Sequence, residues 1–255
     1  MYSIFYQFPG ISKVHCLFTG RGCGQSALAG NISWHAKDEP AQVAAAREEI
    51  LSICRIRGMT GWSECRQVHG VDIVFEPDPE TDPLHPAALP DADGMMSSRS
   101  GIALLIKTAD CQPLLLADTA GSHIMALHVG WRGNAARFPV LAVRDFCRRY
   151  GLSPRDVWAV RGPSLGPNHA EFVNFAREWG DSYAEWLDPA TRCMNLWALT
   201  RAQLLEAGVP AAHIAGMPIC TFENHHLWFS HRRNRQSGRQ GALIWIAANS
   251  SEECL

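Results

Sequence analysis

Three turns far apart in the chain each carry one soft nitrogen or sulfur ligand beside a glycine or proline. They are Gln67-Val68-His69-Gly70, Thr108-Ala109-Asp110-Cys111-Gln112-Pro113 and His128-Val129-Gly130-Trp131-Arg132-Gly133. Brought together, His69, Cys111 and His128 make a two-histidine, one-cysteinate metal site. Three protein ligands leave a fourth position open on a tetrahedral zinc, as in catalytic rather than structural sites. This convergence constrains the fold, because five prolines crowd residues 76–90, between the first turn and the other two. If the turns share a site, that stretch, with Asp78, Glu80 and Asp82, is an exposed excursion without regular structure and not a domain boundary. Taken singly, each of the three residues reads as an ordinary buried polar group. A cysteine beside a histidine also serves as nucleophile and base, so both roles stay open.

With 255 residues, 47% of them hydrophobic, the chain can bury a sizeable core as one large domain or two small ones. A formal net charge of −2 gives no footprint for nucleic acid or an anionic membrane, and points to a small-molecule ligand. Nine cysteines at irregular spacing, with no Cys-x-x-Cys, make neither a disulfide framework nor a zinc ribbon. The first residues carry no basic leader, and the longest apolar runs are too short to span a bilayer. The expectation is a soluble protein of a reducing cytoplasm.

Val14 to Phe18 reads as a strand, followed by a glycine-rich loop from Thr19 to Ser26 that lacks a Walker or Rossmann spacing. Pro40 after Asp38 and Glu39 starts a helix from about Glu39 to Ile56, with Val43, Ala46, Ile50 and Ile53 on one face. Ile102 to Lys107, Leu114 to Ala117 and Ile124 to Val129 suit buried strands of one sheet, with Cys111 in a connection and His128 at a strand end. A helix beginning near Pro139 carries Val140, Val143, Phe146 and Cys147 inward. Beyond it come a strand at Val157 to Val160 and helical stretches between Glu171 and Leu187. A helix follows from Leu196 to Ala207, capped by Asn195 and stopped by Gly208, with a closing strand at Ala242 to Ala247. The sum is a mixed α/β or α+β domain.

In the order Asn31-Ile32-Ser33-Trp34-His35, Gln67-Val68-His69-Gly70, Asp91-Ala92-Asp93-Gly94, Thr108-Ala109-Asp110-Cys111, His128-Val129-Gly130-Trp131-Arg132-Gly133, Gly162-Pro163-Ser164-Leu165-Gly166-Pro167 and Ser230-His231-Arg232-Arg233, the motifs closely resemble the polyphenol oxidase or laccase-domain family. Members of that family are also called purine nucleoside phosphorylases and peptidoglycan editing factors. The resemblance runs from about Phe18 to Gly241. It implies a four-layer α/β/β/α fold of the α+β class with mixed β-sheets, in a single catalytic domain over residues 1–255. It also implies a zinc or copper ion on His69, Cys111 and His128. The activity implied is phosphorolysis of adenosine, inosine and methylthioadenosine, together with adenosine deamination. The chain departs from the family where Asn168-His169-Ala170 replaces a paired cysteine and a tyrosine, and where His231 and Ser237 stand for tyrosine and threonine.

On this reading His69, Cys111 and His128 are both ligands and catalytic groups. Arg21, Asn31, His35, Asp93, Arg232 and Arg233 contact substrate. Arginine forks match phosphate oxygens, and an acid such as Asp93 protonates the leaving base. Gln67 and Asp110 are placed to orient ligands. The expected partners are a nucleoside and phosphate, without nucleic acid or membrane, and the chain is expected to act as a monomer or homodimer. Two rivals are a copper-dependent polyphenol oxidase and a cysteine hydrolase acting on peptidoglycan precursors. A multicopper oxidase needs His-x-His pairs, and none occurs among the eleven histidines. Cys220 with His225 and His226 has ligand spacing too, but reads more simply as a buried cysteine at a strand end and two loop histidines.

Overall fold

The computed structural model describes residues 1–24, 26–85 and 88–248. Gln25 of the glycine-rich loop and residues 86 and 87 of the proline-rich stretch lie outside the described residues. In chain order the elements are β1 (Ser3–Gln7), β2 (Val14–Thr19), α1 (Pro40–Arg55), β3 (Gly61–Glu64), β4 (Ile73–Phe75), β5 (Gly94–Ser97), β6 (Ile102–Thr108), β7 (Gln112–Asp118), β8 (Ile124–Val129), α2 (Trp131–Ala135), α3 (Phe138–Tyr150), β9 (Val157–Arg161), α4 (Phe175–Glu178), β10 (Leu187–Asp188), β11 (Cys193–Met194), α5 (Leu196–Glu206), β12 (Ile214–Gly216) and β13 (Gln240–Ile246).

Two mixed sheets hold most of the strands. One runs β1-β2-β13-β6-β3, the other β12-β9-β7-β8-β5-β4. They face each other across a core that includes Cys16, Phe18, Leu104, Ile106 and Ile244 from the first sheet and Met95, Leu115, Ala126 and Val160 from the second. Helix α1 covers the outer face of the first sheet through Ala46, Ile50, Leu51 and Cys54. Helices α3 and α5 cover the outer face of the second through Val140, Val143, Phe146 and Leu204. The result is the four-layer α/β/β/α arrangement. The period of two explains why β7 has no polar face: Leu114 and Leu116 point to the helices, Leu115 and Ala117 to the other sheet.

One expectation is overturned. The three apolar runs do not share a sheet, since β6 belongs to the first and β7 and β8 to the second. A strand buried on both faces has the same apolar signature in either sheet, so periodicity carries no information on its neighbours. The connection carrying Cys111 is therefore the crossing from one sheet to the other. A second difference follows His128. Helix α2 starts directly at Trp131, and Arg137 in the left-handed region (φ 58°) breaks it from α3. The described part of 76–90 contains no helix or strand, yet it is tied down: Ser63 Oγ donates to Asp78 O at 2.9 Å and Arg47 Nε to Pro83 O at 2.6 Å.

Arg47 of α1 and Glu64 of β3 are both almost fully buried and form an ion pair, and Lys107 of β6 pairs with the other carboxylate oxygen. Burial alone would raise the Glu64 carboxyl, but the charges of Lys107 and Arg47 and their hydrogen bonds outweigh it and hold it below the usual carboxylate range. Glu64→Gln leaves Arg47 as an uncompensated buried charge. It is expected to lower the unfolding free energy by about 3–5 kcal/mol in urea denaturation at neutral pH. Because the folded-state pKa is depressed, this stabilisation is fully present above the unfolded value and is lost as pH falls through the folded value. The gap between wild type and variant should therefore close in acid; a gap independent of pH would show that charge is not its source.

Candidate metal centre and cavity

The pairing of β7 with β8 ends at Gln112↔Val129, with Pro113 opposite His128. Cys111 and Gly130 are the next residues beyond that ladder. Gly130 keeps this point open: a Cβ on it would stand 3.2 Å from both Cys111 Sγ and His69 Cδ2, closer than ordinary van der Waals contact. His69 reaches the same point from the turn before β4, in the left-handed region at φ 62°. The ligand atoms of His69, Cys111 and His128 lie within 4.8 Å of one another.

Asp93, which immediately precedes β5, holds this turn in place. Its carboxylate accepts backbone N–H bonds from Val68 (3.1 Å), His69 (3.0 Å) and Gly70 (2.6 Å), three consecutive donors forming a nest. Its Oδ1 also binds His128 Nδ1 at 2.7 Å, while the Asp93 carbonyl accepts from His128 N–H at 2.7 Å. With Nδ1 committed to a carboxylate, Nε2 is the nitrogen left to coordinate. Gln67 fastens the turn to β6: its side chain donates to Lys107 O at 2.7 Å and accepts from Lys107 N–H at 2.9 Å.

Burial works against the Cys111 thiolate, but the charge of His128 and hydrogen bonds from His128 and His69 prevail, bringing its pKa down to about 6. For His128 burial likewise disfavours charge, and the Cys111 thiolate and Asp93 overcome it to raise the imidazole to about 9. A preformed thiolate, two imidazoles and a missing Cβ fit a zinc or copper ion. The same pair is also the arrangement of an activated cysteine.

The triad opens into a cavity of about 480 Å³. Lys107, Arg232 and Arg239 bring cationic groups to its lining, and Trp131, Phe172 and Leu196 bring apolar surface. Thr108 Oγ1 and Gln112 Oε1, both buried in residues lining it, have no hydrogen-bond partner among the described residues.

Of the residues expected to contact substrate, Arg232 lines this cavity, with Nη1 donating to Glu171 O at 3.1 Å. Asp93 lies beneath the ligands, fully buried, as a carboxylate accepting four hydrogen bonds. That environment favours its ionised form and suits positioning rather than proton donation. Arg21, Asn31, His35 and Arg233 are not brought to the cavity wall. Arg21 donates to Ala27 O at 2.9 Å, and Arg233 Nε donates to Phe222 O at 3.0 Å. Buried Asn31 accepts from the Arg239 backbone N–H at 2.9 Å, so it acts on the cavity through Arg239. Asp110, at φ 88°, accepts from Thr221 Oγ1 at 2.7 Å and from Arg232 N–H at 2.6 Å, tying two loops to the Cys111 crossing. Lys107 and Arg239 were missed as site residues. In the sequence Arg239 follows Arg232, Arg233 and Arg235 within a short arginine-rich segment, and nothing in its spacing distinguishes it from Arg233.

A family model described as multi-copper polyphenol oxidoreductase laccase matches residues 15–247. A purine nucleoside phosphorylase of Xylella fastidiosa is 34% identical over 252 residues, covering 93% of each chain. One of Pseudomonas aeruginosa is 30% identical over 250 residues, covering 94% of this chain and 96% of the other. Among solved structures, that of YlmD from Geobacillus stearothermophilus is similar with a TM-score of 0.82, at 27% identity and 94% coverage of both chains.

Two outcomes follow from the geometry. In protein stripped with a chelator, alkylation of Cys111 should rise with a midpoint near pH 6, since its thiolate pKa is about 6. A midpoint in the ordinary thiol range would remove the ion pair with His128. Asp93→Asn, which weakens the hold on His128 and on the His69 turn, should reduce zinc affinity roughly 10–100-fold in competition with a chromophoric chelator.

Proposed function

Because the chain belongs to the family described as multi-copper polyphenol oxidoreductase laccase, and relatives at 30–34% identity bear the name purine nucleoside phosphorylase, we propose that it is a metal-containing purine nucleoside phosphorylase that also deaminates adenosine. The observation that carries this reading is the meeting, in one cavity, of the His69-Cys111-His128 triad with cationic and apolar lining residues. A nucleoside with phosphate is a ligand of that mixed character: an apolar base, a polar sugar and an anion.

Trp131, Phe172 and Leu196 would receive the purine face, since aromatic and aliphatic walls bury a flat base with little ordering cost. Arg239 would hold phosphate. Its guanidinium is fixed by Nη1 donating to Ser237 O (2.7 Å) and Gly238 O (3.0 Å), leaving further N–H groups for an anion. Lys107 contributes charge only after sharing it with Glu64. His69, Cys111 and His128 would hold zinc, or alternatively copper, and the bound ion would supply a water of pKa near ~7 for deamination. We further propose a monomer or homodimer that works in the cytoplasm without nucleic acid or membrane. The eight described cysteines are free, and no helix among the described residues is long and apolar enough to cross a membrane.

The thiolate–imidazolium pair supports a second reading, a cysteine hydrolase acting on peptidoglycan precursors with Cys111 as nucleophile. A multicopper oxidase is less well supported, because no potential ligand group among the described residues joins more than two histidines.

Adenine release from adenosine should require orthophosphate and yield ribose 1-phosphate. Arg239→Gln should raise the KM for phosphate roughly 10–100-fold, the loss of about 1.5–3 kcal/mol expected for a charged hydrogen bond, with the nucleoside KM nearly unchanged. Release that is indifferent to phosphate would refute phosphorolysis. Cys111→Ser should lose metal and turnover while keeping the fold; activity that survives a chelator but not this substitution would favour the nucleophile.

A further inference from the structure

On the far side of Leu165 a second set of mixed ligands comes together. His169, Cys220 and Glu223 each present a ligand atom within 4.8 Å of the other two. His225 and His226, the partners that the sequence spacing offered to Cys220, are not in this group. The three come from two turns that a single bridge between Ser164 and Cys220 holds side by side. We propose that His169, Cys220 and Glu223 form a second site for a divalent cation of borderline softness, zinc being the best match.

The chemistry of the donors is the first argument. A thiolate, an imidazole and a carboxylate are the three ligand types zinc takes from proteins, and three of them leave one position for water. The second is preparation of the sulfur. Cys220 is only 3% exposed, and its Sγ accepts the Gly166 N–H at 3.2 Å, so the sulfur is held in one place by the backbone of the facing turn. A Cβ on Gly166 would fall 3.0 Å from that sulfur, so the close approach depends on glycine. The third is orientation of the imidazole. The His169 ring stacks on Phe222 with centroids 4.3 Å apart, and Phe222 is itself packed under the Arg233 guanidinium at 4.0 Å. The ring is thereby held with Nε2 3.0 Å from Glu223 Oε1.

An exposed His–Glu contact alone would be a weak ion pair, worth little in water. The buried thiol within reach of both partners is what distinguishes this cluster. An ion there would fasten the 166–169 turn to the 220–223 turn. Thr221, next to Cys220, donates to Asp110, next to Cys111, so the two sites are linked through one hydrogen bond of 2.7 Å.

The test uses the full chain carrying Cys111→Ser, which removes the soft ligand of the first site, freed of metal by a chelator and titrated with cobalt(II). Binding of cobalt with a thiolate-to-metal charge-transfer band is the result expected, since Cys220 then supplies the sulfur. The band should vanish in Cys111→Ser/Cys220→Ser, and the affinity should fall at least about tenfold in Cys111→Ser/His169→Ala, whose substitution lies on a partly exposed turn. Zinc should compete the cobalt away and raise the Tm of Cys111→Ser. Absence of a thiolate band in Cys111→Ser, or a band and affinity unchanged by His169→Ala, would overturn the site.

Discussion

The Asp93 carboxylate is the constraint on which the rest of the centre depends. Between its two oxygens it gathers three consecutive amides of the His69 turn and the Nδ1 of His128. A buried carboxylate is tolerable only when its lone pairs are filled, and here the groups that fill them are the ones that must be aimed. The turn holds His69 in a left-handed backbone that a non-glycine residue adopts at some cost. The nest offsets that cost, so ligand geometry and satisfaction of a buried charge are one arrangement.

The place of the centre follows from the sheets. Cys111 lies where the chain leaves β6 in one sheet and enters β7 in the other, and Gln67 clips the His69 turn to the end of β6. The ligands thus report the relative position of two sheets whose shared core is buried and apolar. Apolar cores resist sliding because small displacements lose contacts on both sides. The Arg47-Glu64-Lys107 network adds a directional tie between α1 and two strands of the first sheet, and Lys107 brings it to the cavity wall.

Much of this was legible in the residues. Pro40 and the apolar spacing that follows it mark α1, and Asn195, whose Oδ1 accepts from Ala198 N–H at 3.0 Å, marks the start of α5. Gly70 and Gly130 near the two histidines, and Pro113 near Cys111, marked the turns of the triad. Which sheet each buried strand joins was not legible, because a run such as Leu114-Leu115-Leu116 satisfies either environment. Apart from Arg232, nor were the cations of the cavity: Arg21, Arg233 and Arg239 have the same chemistry in sequence, and only the loop paths place Arg239 inward. The role of Asp93 was hidden for a similar reason, since a carboxylate that accepts four bonds and one that donates a proton share a one-letter code.

Strand β13 has a consequence for how the molecule comes into being. It lies between β2 and β6, although β2 is among the first elements of the chain and β13 is the last described one. Until residues 240–246 leave the ribosome, β2 and β6 have no partner on their facing edges, and an unpaired apolar edge invites association with other chains. Arg239 and Asn31 meet only as that strand enters. Closure of the first sheet and completion of the cavity therefore wait until residues 240–246 have been made, which leaves the nascent chain dependent on whatever shields its open edges until then.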